Sequence, residues 1–313
     1  MAFEKYKKLF EIYDREVSDK AQKFFEFEGE PEPESVGEFN KKRIIYQRDV
    51  MRNGAPLPDV ERMPDFEYKN GDYTGKISVY KPKGKTGDIP AVVYIHGGGW
   101  FNLNKECYDY ECSEIALESE CIVFSIEYRM ALGGVKLPTP FEDVFAAYVE
   151  IEKRAASYGA KYDQVVLVGD SAGGNMVLGL DIYFREKQGP KIIQQILYYP
   201  NIGFECEDDV PNVNLPATIF PEEGKSELIK QPYISPIYDQ QKEMMPPTML
   251  IMGTCDFLLD DILRYANALI QAGVDVDIRL FQGMPHGFIH MGNKPGADSI
   301  RCVSEKIKAV YGM

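Results

Sequence analysis

Residues 165–175 read Val-Val-Leu-Val-Gly-Asp-Ser-Ala-Gly-Gly-Asn and contain a sharp change of pattern. Four apolar residues, mostly β-branched, predict a buried strand. The motif Gly-x-Ser-x-Gly follows at residues 169–173, and the apolar residues after Asn175 predict a helix. A strand, a tight turn with a serine at its apex and a helix are the context that an activated serine requires. A glycine-rich turn with an incidental serine would give the same five residues, so the rest of the chain has to decide.

The composition narrows the classes of protein to consider. The 313 residues suffice for one large domain with additions or for two modest domains. A hydrophobic content of 44% and a charged content of 27% are typical of a soluble globular protein. The net charge of −14 argues against nucleic acids and against anionic membrane surfaces as partners. No run approaches the roughly 18 apolar residues of a membrane span, and the N-terminus does not resemble a signal peptide.

The cysteines and histidines predict neither disulfides nor a metal site. The six cysteines are scattered and form no Cys-x-x-Cys pair, so we expect reduced thiols in a cytoplasmic protein. The three histidines form no cluster with cysteines or carboxylates at ligand spacing. We therefore expect neither a metal nor an organic cofactor, whereas the sequence leaves open whether the protein is a homo-oligomer.

From about residue 65 onward, buried strands alternate with amphipathic helices. Such alternation predicts an α/β fold with a mostly parallel central sheet that helices cover on both faces. The first strand pattern, at residues 75–82, alternates as an edge strand does. The strands are predicted at 75–82, 90–95, 121–126, 165–170, 192–199, 248–253 and 276–281. The helices are predicted at 104–119, from 139, from 171 to about 187, at 260–272 and over about 300–310.

Two parts of the chain do not fit the α/β pattern of the catalytic domain predicted at 65–313. Residues 1–64 predict an N-terminal helical cap segment. Residues 201–245, rich in Pro, Asp, Glu and Asn, predict a cap insertion with a weak helical patch near 226–230. Both need apolar surface to cover, and the carboxyl edge of the sheet is a natural place. Within the first segment we expect a helix over 1–27, an acidic connector over 28–34, and a helix from a capping box at 35–38 that stops before 54.

Distinctive residues follow five of the predicted strands. Because ligands bind outside the carboxyl ends of parallel strands, these residues are expected at one edge of the sheet. A serine, an acid and a histidine occur among them in that chain order, which α/β-hydrolases use. The five groups are His96-Gly97-Gly98-Gly99, Glu127-Tyr128-Arg129, Asp170-Ser171-Ala172, Cys255-Asp256 and Met284-Pro285-His286-Gly287.

These motifs resemble the hormone-sensitive-lipase-like family of α/β-hydrolases, the carboxylesterases and acetyl esterases with a His-Gly-Gly-Gly motif. The resemblance covers about residues 65–313. One departure concerns residues 130–134, Met-Ala-Leu-Gly-Gly, where members usually have Leu-Ala-Pro-Glu, and it affects only that loop. Further matching motifs are Leu137-Pro138-Thr139-Pro140, Glu142-Asp143, Gly174-Asn175, Tyr233-Ile234-Ser235-Pro236, Asp256-Phe257-Leu258-Leu259-Asp260-Asp261 and His286-Gly287-Phe288.

Ser171 is the predicted nucleophile and His286 the predicted base. A serine hydroxyl is a poor nucleophile at neutral pH, so a base must take its proton during attack. His290 is the alternative base, although a lone histidine at a helix start is more often structural. Asp256 is predicted to hold the tautomer of His286 and to stabilise its imidazolium.

Three other carboxylates compete with Asp256 for the role of acid. Asp260 and Asp261 stand where a helix begins, a position typical of capping charges. Asp170 is adjacent to Ser171, and neighbouring side chains on a tight turn point apart, so it is excluded as the acid of the triad.

The oxyanion hole is predicted from main-chain donors. Ala172, directly after the nucleophile, supplies one N–H, and the glycine loop supplies the others. We favour Gly98 and Gly99 as donors, with Gly97 shaping the loop. His96 is expected to brace this loop, as in the family, and the Glu-Tyr-Arg motif is expected to be structural.

The resemblance implies a serine carboxylesterase that acts on small-molecule, short-chain acyl (acetyl-type) esters without a cofactor. A lipase or an amidase or peptidase on the same fold would use the same triad. A non-catalytic ligand-binding protein is a further alternative, because some hormone receptors of this family bind without catalysis, but those lack the catalytic histidine. The physiological substrate cannot be derived from the sequence.

Overall fold

A single eight-stranded sheet forms the centre of the described part of the protein. The computed structural model describes residues 36–185, 190–204 and 219–313. The strands are β1 (Glu61–Asn70), β2 (Tyr73–Lys81), β3 (Ile89–Ile95), β4 (Ile122–Ile126), β5 (Ala160–Asp170), β6 (Lys191–Tyr198), β7 (Thr248–Gly253) and β8 (Val276–Phe281). Their order is β1-β2-β4-β3-β5-β6-β7-β8. The β1–β2 and β2–β4 pairs are antiparallel and the others are parallel, so the predicted mostly parallel sheet is confirmed.

Helices cover both faces of this sheet, as predicted. Successive strand residues point to opposite faces, and all five residues of β4 are buried, so neither face of that strand is open to solvent. Among the helices, α2 packs on α7 and α3 packs on α4. The helices are α1 (Val36–Tyr46), α2 (Asp109–Ser119), α3 (Thr139–Arg154), α4 (Ala172–Phe184), α5 (Lys225–Ile229), α6 (Leu259–Gln271) and α7 (Lys294–Tyr311).

The edge of the sheet differs from the prediction. β2 is an inner strand, paired with both β1 and β4, so the prediction of an edge strand at 75–82 is wrong. The sequence did not reveal β1, because six of its ten residues are exposed and many of these are charged. Only Phe66 and Tyr68 of β1 are buried, and the register shifts between Met63 and Phe66.

Two helix starts also differ in detail. Thr139 is the first helical residue of α3 and not its N-cap, and Pro138 precedes it without a capping side chain. The helix predicted from residue 104 begins as a 3₁₀ turn at Lys105–Tyr108, and α2 starts only at Asp109. Asn104 caps that turn, because its side chain accepts a hydrogen bond from the N–H of Cys107.

The described part of the cap segment packs against the far end of the chain. α1 continues into a π-helical turn at Gln47–Met51. A Cβ placed on Gly292 would lie 2.1 Å from the carbonyl oxygen of Met51, so the two backbones touch there. The helix predicted at 1–27 and the connector at 28–34 lie outside the described residues.

The insertion forms hydrogen bonds and close backbone contacts with α4, the helix that follows Ser171. The side-chain amide of Asn175 donates to the carbonyl oxygens of Asn201 (2.9 Å) and Ile234 (3.1 Å). A Cβ on Gly179 would lie 2.2 Å from the carbonyl oxygen of Tyr233, so the helix and the insertion approach backbone to backbone. The predicted helical patch corresponds to α5, while residues 205–218 of the insertion lie outside the described residues.

A buried group of three charges joins the end of α4 to Asp239, which lies within the insertion. Arg185 Nη2 lies 2.9 Å from Asp239 Oδ2 and 3.6 Å from Asp181 Oδ2, and all three side chains are buried. Burial raises the pKa of Asp181 to about 6, which Arg185 opposes and Asp239 reinforces. Two carboxylates thus share one guanidinium away from water.

We expect Asp181→Asn to stabilise the protein above pH 7. Because the pKa of Asp181 in the folded protein lies above its ordinary value, ionisation costs folding free energy as the pH rises through about 6. The gain should be about 2–3 kcal/mol at pH 8 and should fall to about 0.5 kcal/mol at pH 4, where the carboxyl is protonated in the folded protein and only partly ionised in the unfolded chain. Thermal unfolding of variant and wild type at the two pH values measures this difference. A melting temperature lowered at pH 8 would contradict it.

Candidate active site

Ser171 stands in a strained turn between β5 and α4. Its backbone has φ 52° and ψ −118°, a conformation that costs free energy in a residue with a side chain. The N–H of Ser171 donates to the carbonyl of Tyr198 (2.9 Å), and the carbonyl of Ser171 accepts from the N–H of Asn201 (3.2 Å). A Cβ on Gly173 would lie 2.0 Å from the carbonyl oxygen of Ile95, so only glycine allows α4 to approach β3 this closely.

Three predicted residues from distant parts of the chain form one hydrogen-bonded row. His286 Nε2 lies 2.8 Å from Ser171 Oγ, and His286 Nδ1 lies 2.9 Å from Asp256 Oδ2. The carboxylate of Asp256 is fully buried and also accepts a hydrogen bond from the N–H of Leu258 at 2.8 Å. The histidine can therefore accept the proton of the serine at one nitrogen while the other donates to a fixed carboxylate.

The competing residues lie elsewhere. Asp260 and Asp261 are in the first turn of α6, where their charges suit the helix N-terminus. Asp261 pairs with Arg264 on the surface. His290 is buried, and its Nδ1 lies 3.0 Å from Glu111 Oε1.

Two aromatic rings hold the imidazole of His286 between them. The ring of Tyr199 lies 4.6 Å and the ring of Phe257 4.7 Å from the imidazole, measured between centroids. Such contacts restrict the rotation of the ring and leave His286 with only 14% of its side chain exposed. No sequence pattern indicates a contact of either residue with His286, since Tyr199 belongs to the strand predicted at 192–199 and Phe257 is only an apolar residue of a matching motif.

The glycine loop after β3 presents its main chain at the same edge of the sheet. Gly98 and Gly99 have φ values of 111° and 62°, which residues with side chains rarely adopt. A Cβ on Gly98 would lie 2.0 Å from the carbonyl oxygen of Asn102. Within the described ranges the N–H groups of Gly98 and Gly99 donate to no protein acceptor, and Ala172 is the first residue of α4, where N–H groups have no partner within the helix.

Asp170 anchors the glycine loop. Its Oδ1 accepts the N–H of Gly97 at 2.9 Å and the hydroxyl of Tyr94 at 3.1 Å, while Oδ2 accepts the hydroxyl of Tyr108 at 3.0 Å. Burial raises the pKa of the Asp170 carboxyl, although the nearby His290 opposes this shift. The N–H of Gly97 is thereby occupied, which leaves this residue to shape the loop. No local sequence pattern indicates that Asp170 makes these contacts.

His96 braces the same loop from its other side. Its Nδ1 lies 2.8 Å from the carbonyl oxygen of Gly97, and its ring stacks on Tyr128 with centroids 4.3 Å apart. The hydroxyl of Tyr128 donates to the carbonyl oxygen of His96 at 2.8 Å. Of the Glu-Tyr-Arg motif, the tyrosine thus contacts the glycine loop directly.

The described residues contain neither a metal-binding cluster nor a membrane-spanning helix. No group of three or more His, Cys, Asp or Glu side chains in that part of the chain could hold a metal ion. In the same part, every helix is too short or too polar to cross a membrane.

A family model described as the alpha/beta hydrolase fold matches residues 92–290. The match includes the glycine loop, Ser171, Asp256 and His286. The chain belongs to this α/β-hydrolase family. The resemblance to hormone-sensitive-lipase-like hydrolases and the predicted fold class are confirmed.

Named relatives and solved structures agree with this family. The chain is 30% identical to an Acanthamoeba polyphaga mimivirus protein named as an alpha/beta hydrolase, over 68% of this chain and 64% of that protein, slightly less than two thirds of its length. It is 29% identical to esterase LipI of Mycobacterium tuberculosis, over 67% of this chain and 69% of the relative. The crystal structure of a hyperthermophilic esterase from Pyrobaculum calidifontis is 26% identical and superposes with a TM-score of 0.77, covering 89% of this chain and 93% of that one.

We expect Asp170→Ala to slow the reaction of Ser171 with a fluorophosphonate by about 10²-fold, the size of losing one oxyanion donor. The substitution leaves the N–H of Gly97 without its acceptor, so the loop loses its fixed position. Asp170→Asn is the matched control, since its amide oxygen can still accept from Gly97, and it should stay within about tenfold of wild type. The second-order labelling rates of the folded variants, followed by mass spectrometry, measure the effect. Equal rates for Asp170→Ala and wild type would refute the anchoring role.

Proposed function

We propose that the protein is a serine carboxylesterase that hydrolyses short-chain acyl esters, with Ser171, His286 and Asp256 as its catalytic triad. The observation that supports this most is the row of hydrogen bonds from Ser171 Oγ through His286 to Asp256, at 2.8 and 2.9 Å. Besides these side chains, the glycine loop at the same edge of the sheet contributes main-chain N–H donors. The esterase names of several relatives agree with this proposal.

In the first half of the reaction, Ser171 Oγ attacks the ester carbonyl carbon while His286 Nε2 takes the hydroxyl proton. The carbonyl oxygen becomes an oxyanion, which the N–H groups of Gly98, Gly99 and Ala172 are proposed to stabilise. Such donors act most strongly when they are fixed in advance. Fixed positions result here from the anchor at Asp170 and from the helix that starts at Ala172.

In the second half, the imidazolium of His286 gives its proton to the leaving alkoxide, which departs as the alcohol and leaves an ester on Ser171. A water molecule then loses a proton to His286 and attacks the acyl carbon, releasing the carboxylic acid and the free serine. The buried carboxyl group of Asp256 stabilises the imidazolium at both stages because it faces Nδ1.

The aromatic residues beyond the glycine loop favour small acyl groups. Trp100 follows the loop directly, is buried, and lies 5.2 Å from the ring of Phe204 between centroids. Phe204 in turn meets the ring of Phe220 edge-on at 5.0 Å. On the proposal that the acyl group lies on this side of the loop, these packed rings leave little room for a long chain, which supports an acetyl-type substrate over a lipid.

The non-catalytic alternative is disfavoured by the complete row of side chains. A ligand-binding member without activity has no need of a base at hydrogen-bond distance from the serine, yet His286 is at that distance.

The five cysteines in the described ranges are free, which supports the proposed cytoplasmic location.

Ser171→Ala should abolish hydrolysis of p-nitrophenyl acetate and labelling by a fluorophosphonate, because both need the hydroxyl as nucleophile. We expect a loss of at least about 10⁴-fold in kcat. The melting temperature should change little, because the surrounding elements stay in place and the backbone at this position keeps its strained conformation. Retained turnover in a folded Ser171→Ala variant would disprove the mechanism, and wild type that neither hydrolyses esters nor takes the label would favour a binding protein.

A series of p-nitrophenyl esters from acetate to dodecanoate tests the acyl preference. We expect kcat/KM to be highest for esters of about two to four acyl carbons and to fall by about tenfold or more for the dodecanoate ester. A rise with chain length, or activation on emulsified lipid, would identify a lipase. Faster hydrolysis of p-nitroacetanilide than of p-nitrophenyl acetate would identify an amidase.

A further inference from the structure

A second set of buried polar side chains joins the turn that follows His286 to other parts of the chain. Glu111 of α2 is fully buried, and its Oε1 pairs with Arg52, the cap-segment residue that follows the π-helical turn. The same oxygen lies 3.0 Å from His290 Nδ1. One carboxylate thus meets a cation from the cap segment and an imidazole from the loop that follows His286.

Burial would by itself raise the pKa of Glu111, but Arg52 and His290 bring it below its ordinary value. Glu111 is therefore ionised at neutral pH although water does not reach it. A buried carboxylate of this kind is costly if either partner is removed. The three side chains consequently fix one another's positions.

His290 is rigidly connected to His286. Its N–H donates to the carbonyl oxygen of Gly287 at 3.1 Å, which closes a 3₁₀ turn at Phe288–Met291 directly after the catalytic histidine. A Cβ on Gly292 would meet the carbonyl of Met51. The turn is therefore held between the cap segment and α2.

His290 also contacts the group that anchors the glycine loop. The ring of Tyr108 meets the imidazole of His290 edge-on, with centroids 4.7 Å apart. The hydroxyl of the same tyrosine donates to Asp170 at 3.0 Å, and Asp170 holds Gly97. Both halves of the site, base and oxyanion loop, thus adjoin the same buried cluster.

We infer that Glu111 is a positioning residue, which through His290 holds the turn of His286 and through Arg52 ties that turn to the cap segment. This inference rests on the proposed hydrolase function. It assigns a role to His290 in which the imidazole serves as a fixed hydrogen-bond donor and not as a base. It also makes Arg52 of the cap segment part of what aligns the triad.

The test uses His290, because a substitution of Glu111 itself leaves Arg52 buried without its partner and endangers folding. In His290→Asn, the amide nitrogen can take the place of Nδ1 and still donate to Glu111. In His290→Leu, no donor remains. Activity is measured as kcat and KM for p-nitrophenyl acetate. The value of kcat is the maximal rate divided by the concentration of active sites, which is determined by titration with a fluorophosphonate. Unfolded protein is thereby left out of the comparison.

We expect His290→Leu to lower kcat per titrated site by about 10- to 100-fold, since a displaced base loses its alignment. KM should stay within about threefold, because the turn is not proposed to bind substrate. His290→Asn should recover most of the wild-type kcat. Wild-type kcat in His290→Leu, or an equal loss in both variants, would overturn the inference.

Arg52→Met tests the connection to the cap segment and should also lower kcat per titrated site. Arg185→Met is its matched control, because Arg185 forms a similarly buried pair with Asp239 far from the His286 turn. The control should lower the melting temperature and leave kcat per titrated site unchanged. Equal kcat values for Arg52→Met and wild type, or equal losses in Arg52→Met and Arg185→Met, would refute the coupling. If wild type itself hydrolyses no ester, the proposed function fails rather than this inference.

Discussion

The close approach of α4 to β3 at Gly173 is the constraint on which the rest of the site depends. Because no side chain separates the helix from the carbonyl of Ile95, the chain must turn within one residue, and Ser171 takes a strained backbone at the apex. That turn exposes the hydroxyl above the sheet edge and directs the first N–H groups of α4 to the same place. The sheet has to be well packed on both faces to maintain this strain.

Two buried aspartates next to this turn have separate tasks because their surroundings differ. Asp256 faces an imidazole and one main-chain N–H, which suits a carboxylate that stabilises a transient cation. Asp170 faces two phenols and the N–H of Gly97, all of them neutral donors in fixed positions. We therefore propose that the first carboxylate serves proton transfer, and that the second holds the loop that would receive the developing negative charge.

Much of this arrangement could be predicted from local sequence. Buried strands such as β3 and β5 are continuous apolar runs. The glycines of the loop after β3 and of the turn at Ser171 are required by backbone geometry. The sequence motifs and the hydrophobic periodicity therefore indicate the same elements. β1 could not be recognised, because most of its side chains face solvent and its pairing with β2 is what makes it a strand. Likewise, Tyr199 and Glu111 acquire their contacts only through tertiary packing, and no local pattern marks them.

The same limit applies to the cap segment. Its sequence predicts helices that need a surface to cover, but only the structure shows that Arg52 reaches a buried carboxylate behind the triad. The position of the base therefore depends on residues far away in sequence, in α2 and near the N-terminus. Such dependence is a consequence of building the site on loops at the sheet edge, each of which needs its own anchor.

The central claim is that Ser171 carries the acyl group between the two halves of the reaction. Acid quenching of wild type during steady-state turnover of p-nitrophenyl acetate, followed by peptide mass spectrometry, tests it most directly. The account predicts one acetyl group on the peptide that contains Ser171, formed in step with a burst of p-nitrophenol. Turnover with no acetylated peptide, or with the acetyl group on another residue, would contradict it.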